Sequence, residues 1–309
     1  MPEVVAWIAF FEASVRLGVP LALAALGETV TERSGVINIG LEGSLIAGAL
    51  GGALGALALG DPYLGTLVGG LAGLLVAAVF AGFAIGLGAD QIITGTAITL
   101  GGLGFTGAVY QARFGTTGAV LDLPTLSAMR IPLLADLPLI GTALFAQAPT
   151  TYLAYALAPA LWFFLYRTTW GLELRAVGEA PDAAAAAGLR VRWIRFWATL
   201  CGGALAGVAG AHLVLAHAGT FSENMSSGRG FIAIAVVVLG RWNPLWVLLA
   251  ALFFGAAQAL QFQAQTLGLD LPRQLFLAFP YLLTLAALAG WFGRSRAPAA
   301  LAVTWPKEE

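Results

Sequence analysis

Apolar residues along this 309-residue chain come in runs longer than a buried core helix needs, separated by short stretches of Gly, Pro and Arg. A bilayer core about 30 Å thick takes roughly 20 apolar residues per helix. The runs that meet or approach that length are 4–26, 36–59, 63–87, 91–110, 152–166, 194–215, 245–265 and 275–292. A shorter run, 231–239, lies between Gly230 and Gly240. At about 1.5 Å per residue it is too short to cross alone. It is either a half-helix or part of a longer span reaching into Ser226 or Trp242. The pattern predicts an all-α polytopic membrane protein with roughly eight to ten spans, some short and at least one broken. It reads as one integral domain over residues 1–309, with Pro159 and Pro280 kinking the runs that contain them. Met1-Pro2-Glu3 carries no basic region, so the first run reads as a membrane segment rather than a cleaved signal.

Composition narrows the class. The chain is 59% hydrophobic and 10% charged, with a net charge of -1 and mean hydropathy +0.87. It lacks the charges to solvate a soluble domain, and the basic patch a nucleic-acid binder needs is missing. Arginines set the orientation. The polar stretch 167–193 holds Arg167, Arg175, Arg190 and Arg192, with Arg195 just beyond, and the tail holds Arg294, Arg296 and Lys307. Both are placed on the cytoplasmic side, which puts the C-terminus inside and stretches 113–150 and 218–228 outside. Glycines four apart, at Gly48/Gly52, Gly51/Gly55, Gly69/Gly73, Gly82/Gly86 and Gly203/Gly207, read as faces for close helix packing.

Several chemistries find no residues to carry them. Lys307 is the only lysine, so no P-loop exists and ATP is not hydrolysed by that route. His212 and His217 are five apart and lie in no zinc pattern, and the single Cys201 excludes a disulfide framework. Ser222 and Glu223 lie near the histidines, a weak basis for a hydrolase; a histidine at a helix end is the simpler reading.

Polar residues inside the apolar runs are the informative ones, because a charge at a helix centre costs about 2.5 to 3.5 kcal/mol on insertion scales. Arg33 can pair with Glu28 or Glu32. Asn38 and Glu42 are four apart on one helix face, and Glu42, the deeper, either hydrogen-bonds a neighbouring helix or lines a water-filled path. Gln258, Gln261 and Gln265 form a stripe that suits the hydroxyls and amides of a neutral solute or serves as interhelical glue. Asp90 suits a helix N-cap ahead of Gln91, Thr94 and Thr99. Asn38, Glu42, Gln91, Thr94, Gln258 and Gln261 are the candidate path residues. Glu12 and Arg16, four apart, can neutralise each other. In the polar loop, Gly178-Glu179-Ala180-Pro181-Asp182 leads into five alanines closed by Gly188, a short helix with a small-residue surface. It is either a plain loop helix or one that docks into a groove on a soluble partner.

The block Thr31-Glu32-Arg33-Ser34-Gly35-Val36-Ile37-Asn38-Ile39-Gly40-Leu41-Glu42-Gly43 resembles the opening motif of permease subunits of ABC importers for nucleosides and simple sugars. Their wider family also covers ribose and branched-chain amino acid permeases. Arg175-Ala176-Val177-Gly178-Glu179 with 184–188 resembles its coupling loop. Gly228-Arg229-Gly230-Phe231-Ile232-Ala233, then Gly240-Arg241-Trp242-Asn243-Pro244, and Pro280-Tyr281-Leu282-Leu283-Thr284 are similar to its later blocks. The blocks run in order through nearly the whole chain. Pro181 departs from the usual residue at its place.

The resemblance implies a type II ABC importer-like permease fold in a bacterial or archaeal plasma membrane, paired with a second and related permease subunit. It also implies ABC ATPase subunits, which bind the ATP and Mg, and an external substrate-binding protein or lipoprotein received by stretch 113–150. No cofactor is expected in this chain. Gly178, Glu179, Asp182, Ala184, Ala185 and Gly188 would form the coupling site for the ATPase. Nucleosides are the first expected cargo, then a simple sugar such as ribose or a branched-chain amino acid. The alternative of a different class is an ion-coupled secondary transporter, for which Glu42 is the one deep titratable candidate.

Overall fold

A computed structural model describes residues 2–115, 121–137, 141–266, 282 and 297–305, with side chains from residue 7 onward and, in the last long helix, as far as 261. Its pillar is α1 (Pro2–Arg33), about 48 Å long at 1.5 Å per residue. From Leu21 to Leu26 it has no exposed residue, because helices close round it on every side. They are α6 (Pro149–Arg167), α9 (Val191–His212), α10 (Arg229–Leu239) and α11 (Pro244–Thr266). Leu21, Leu23, Leu41, Leu45, Val236 and Phe254 fill the space between them.

A second layer consists of α2 (Leu41–Leu59), α3 (Pro62–Ala81) and α9, with α4 (Gln91–Phe114) against α2. Here glycine decides the geometry, since apolar side chains gain little by leaving lipid and close backbone approach supplies the packing energy. A Cβ on Gly48 would strike the Gly207 backbone, one on Gly73 the Gly203 carbonyl, and one on Gly210 the Leu45 carbonyl. Gly51 and Gly55 accept Ala72 and Val68, each 2.8 Å from the Cβ position. Gly82/Gly86 is the exception. Both lie in a π-helical turn, Gly82–Gly86, that extends α3; Gly82 has nothing within 4 Å of its Cβ position and Gly86 only one atom, at 3.9 Å. Spacing alone suggested a packing face there, but no helix lies opposite among the described residues.

Helix ends follow local chemistry. Asp61 caps α3 through Tyr63 and Leu64, and Asp90 caps α4 through Ile92 and Ile93, as its position predicted. Six helical stretches are long and apolar enough to cross a membrane among the described residues. Run 152–166 is also helical, within α6, while run 275–292, apart from Leu282, and Pro280 fall outside the described residues. Run 231–239 is α10, only 11 residues long and so about 16 Å, a half-helix entered from an irregular stretch and left by a tight turn.

At the end of α1 remote from Arg33, residues 121–137 and 141–148 fold over the bundle. Its β1 (Met129–Arg130) and β2 (Ala146–Gln147) pair antiparallel, and α5 (Gly141–Phe145) precedes β2. At the Arg33 end lie α7 (Thr169–Glu179) and α8 (Pro181–Ala186).

Candidate translocation and coupling site

Between α1 and α2 the chain turns back into the bundle as irregular backbone, with Ser34, Val36 and Asn38 fully buried. Backbone of this kind survives at membrane depth only where protein groups satisfy it. The Asn38 N–H donates to Glu28 Oε1 at 2.8 Å, the Ile37 N–H to Gln91 Oε1 at 2.9 Å, and Thr99 Oγ1 donates to the Ile39 carbonyl at 3.0 Å. The Arg195 Nε donates to the Ser34 carbonyl at 3.2 Å. Gln91 therefore holds the re-entrant turn. Asn38 itself contributes a buried amide whose side-chain oxygen and nitrogen have no hydrogen-bond partner among the described residues.

Glu42 closes one of the two alternatives left open for it. Its carboxylate, 2% exposed, accepts from the Gly228 N–H at 2.8 Å and the Gly230 N–H at 2.5 Å, the free donors at the start of α10. The half-helix thus begins on a carboxylate from α2, where the helix dipole favours negative charge. A Cβ on Gly230 would lie 2.6 Å from the Glu42 Cα, so glycine is required for the approach. Thr94 is half-buried and lines an apolar cavity of about 540 Å³ with Val76 and Val79 of α3 and Phe83 of the π-helical turn. Gln258 and Gln261 are half-buried on α11; Gln265 lies outside the residues whose side chains are described.

Arg33 does not pair with Glu28 or Glu32. Its guanidinium donates to the Trp242 carbonyl at 3.0 Å and the Tyr166 hydroxyl at 2.9 Å, while Glu32 Oε2 accepts from the Trp242 indole at 2.5 Å. These bonds fasten the α10–α11 turn, where Arg241 and Trp242 both take φ +54°. That left-handed conformation costs a non-glycine residue about 1–2 kcal/mol, so the turn needs outside anchors. Sequence reading missed Trp242; its one signal was a large aromatic between Gly240 and Pro244.

The polar loop forms the predicted short helix. Pro181 takes the first position of α8, Gly188 ends the turn at φ +89°, and Gly178 packs on the Arg33 carbonyl too closely for any side chain. Ala184 is buried, turned inward on Val177 and Val191 with Trp305, and Ala185 is half-buried beside it. Asp182, Ala183, Ala186, Ala187 and Gly188 face outward. A segment near the C-terminus straps this loop in place. The Ala299 N–H donates to Glu179 Oε2 at 3.2 Å, the Ala300 N–H to the Gly178 carbonyl at 2.9 Å, and the Trp305 indole to Asp182 Oδ1 at 2.7 Å. The same segment reaches the re-entrant turn, since Ala302 donates to the Gly35 carbonyl at 3.2 Å and Arg195 to the Val303 carbonyl at 2.9 Å.

Residues 10–288 match the family described as the permease component of branched-chain amino acid transport systems. The chain belongs to that permease family. The permease is 39% identical over 297 residues to the guanosine ABC transporter permease protein of Bacillus subtilis, covering 93% of each chain. It is 33% identical over 299 residues to the nucleoside ABC transporter permease protein of Lactococcus lactis, covering 94% of each. A Haloferax volcanii protein provisionally named as a glucose ABC transporter permease is 39% identical over 299 residues, with 90% of this chain and 89% of that one covered. Family and apolar helices together make the permease a multi-pass membrane protein.

Proposed function

We propose that the permease is the transmembrane subunit of an ATP-driven importer of nucleosides, working with a second permease, ABC ATPase subunits and an external binding protein. The observation that carries this reading is α8. It is a six-residue helix with an outward face of Asp182, Ala183, Ala186 and Ala187, fastened to the bundle by its inward Ala184 and by the strap 299–305. A small, rigid knob on a basic loop is the shape a partner's groove can grip and push. Lacking a P-loop, the chain takes its driving force from the ATP and Mg held by the partner. The arginines around α8 favour a cytoplasmic position for it and, through the strap, for the C-terminus.

The strap also gives the push a route. Movement of α8 reaches Gly178, then the Arg33 end of α1 and the turn at Gly35, and so the anchored start of α2. Nucleoside cargo is supported by the guanosine and nucleoside permeases among the relatives. Sugar cargo is the second reading, favoured by the equally identical glucose-transport relative. Both solutes carry ring hydroxyls. Ion coupling finds no support among these relatives, and Glu42, its one candidate in the sequence, bonds to the start of α10.

The test is uptake by the reassembled transporter in liposomes, with guanosine and glucose as solutes. ATP-dependent entry of guanosine supports the reading, and entry of glucose alone favours the second. Ala187→Arg, whose charge would clash in a groove, is expected to lower uptake at least tenfold, the effect of about 1.4 kcal/mol, while the chain still inserts normally. Unchanged uptake by that variant contradicts docking through α8.

A further inference from the structure

A polar cavity of about 220 Å³ opens at the end of the bundle remote from Arg33, between α1, the end of α9 and the strand β2. Four polar side chains line it. Glu12 is half-buried and Arg16 exposed on α1, Gln147 is 8% exposed on β2, and His212 is 1% exposed at the end of α9. Expectation paired Glu12 with Arg16, yet no ion pair joins them within 4 Å; the one ion pair among the described residues is Arg130 with Asp136. Acid and base thus both remain available to the cavity.

His212 is held rather than free to turn. Its Nδ1 shares a 2.6 Å hydrogen bond with Thr150 Oγ1 at the start of α6. Its Nε2 is buried beside the Arg16 backbone, so the ring forms part of the cavity wall. Gln147 is likewise fixed, because its Nε2 donates to the Ala143 carbonyl at 2.8 Å.

We propose that this cavity is a solute site that binds the vicinal hydroxyls of a sugar ring. A carboxylate accepts from hydroxyl groups, a guanidinium donates to them, and the Gln147 amide lies in the same wall, so together they suit neighbouring hydroxyls of a neutral solute. The volume equals roughly seven waters at about 30 Å³ each, room for a sugar ring and too little for a whole nucleoside. This rests on the importer reading above, and it places sugar recognition in the permease itself, at the end where solute arrives.

The test uses the full transporter in liposomes, with Cys201→Ser removing the chain's single native cysteine and Ala128→Cys, in the cavity wall, reporting on the cavity. A charged thiosulfonate reagent labels that cysteine. Guanosine and glucose should each slow the labelling, whereas 2′,3′-dideoxyguanosine, which lacks both hydroxyls, should not. In the native background, Arg16→Gln is expected to raise the half-saturating guanosine concentration about tenfold, the loss of one charge-assisted hydrogen bond. Equal protection by the dideoxy compound, or protection by none of the three, overturns the site. Uptake by the unsubstituted transporter is measured alongside; if it carries neither guanosine nor glucose, the importer reading fails on that result, and the labelling result still judges the cavity.

Discussion

A carboxylate within the hydrocarbon layer is tolerated when backbone donors surround it, and Glu42 meets two at the start of α10. Glu42→Leu would leave the Gly228 and Gly230 N–H groups without their acceptor, at about 1–3 kcal/mol each. The expected outcome is a clearly lower melting temperature in detergent, measured by intrinsic fluorescence. Glu42→Gln keeps one acceptor oxygen, so it should melt between the two and leave transport dependent on ATP with no ion requirement. An ion requirement in the parent chain that the Gln variant abolishes would contradict the capping role. That Glu42 and Asn38 are buried polar residues was legible in the sequence. Their partners were not, because the donors to Glu42 lie 186 and 188 residues away and only the folded bundle brings them together. The pairing expected for Arg33 failed for the same reason, since Trp242, 209 residues on, offers a carbonyl and an indole at once.

Packing of α2, α3 and α9 depends on the absence of side chains along their contact. Gly207 lies against the Gly69 carbonyl and the Gly73 backbone, while Gly48 packs on Gly207 from the other side. Gly207→Leu therefore has no void to enter, and overpacking of this kind costs about 1–3 kcal/mol and sometimes more. The variant should yield far less folded protein in a size-exclusion profile, whereas Gly82→Leu, with nothing within 4 Å of its Cβ position, should behave like the parent. Four of the five glycine pairs were legible as packing faces from spacing alone. Gly82/Gly86 was not, because spacing says which residues share a face and nothing about whether a helix stands opposite. The half-helix α10 was legible from its length, while the left-handed turn after it was hidden, since Arg241 and Trp242 carry no preference for φ +54°.

At the scale of the whole molecule, the turn after Arg33, α8 and the strap 299–305 form one connected unit at the Arg33 end. Trp305 joins them through its bond to Asp182 and its packing beside Ala184. Trp305→Ala removes both, so solute-loaded binding protein should stimulate ATP hydrolysis several-fold less, with assembly of the complex intact. Stimulation equal to the parent's would reduce the strap to a passive tail. The overall class was legible because lipid imposes long apolar runs on any chain that crosses it. Which alanines of α8 face outward was not, because a two-turn helix shows its inner face only once Val177, Val191 and Trp305 are in place. The central claim is that α8 docks on an ATPase subunit, and it is tested most directly by site-specific crosslinking. With Cys201→Ser in the background, Ala187→Cys should crosslink to the ATPase subunit in native membranes, and Gly60→Cys, at the opposite end of α2, should not. Failure of Ala187→Cys to crosslink in an assembled, transporting complex would contradict the account.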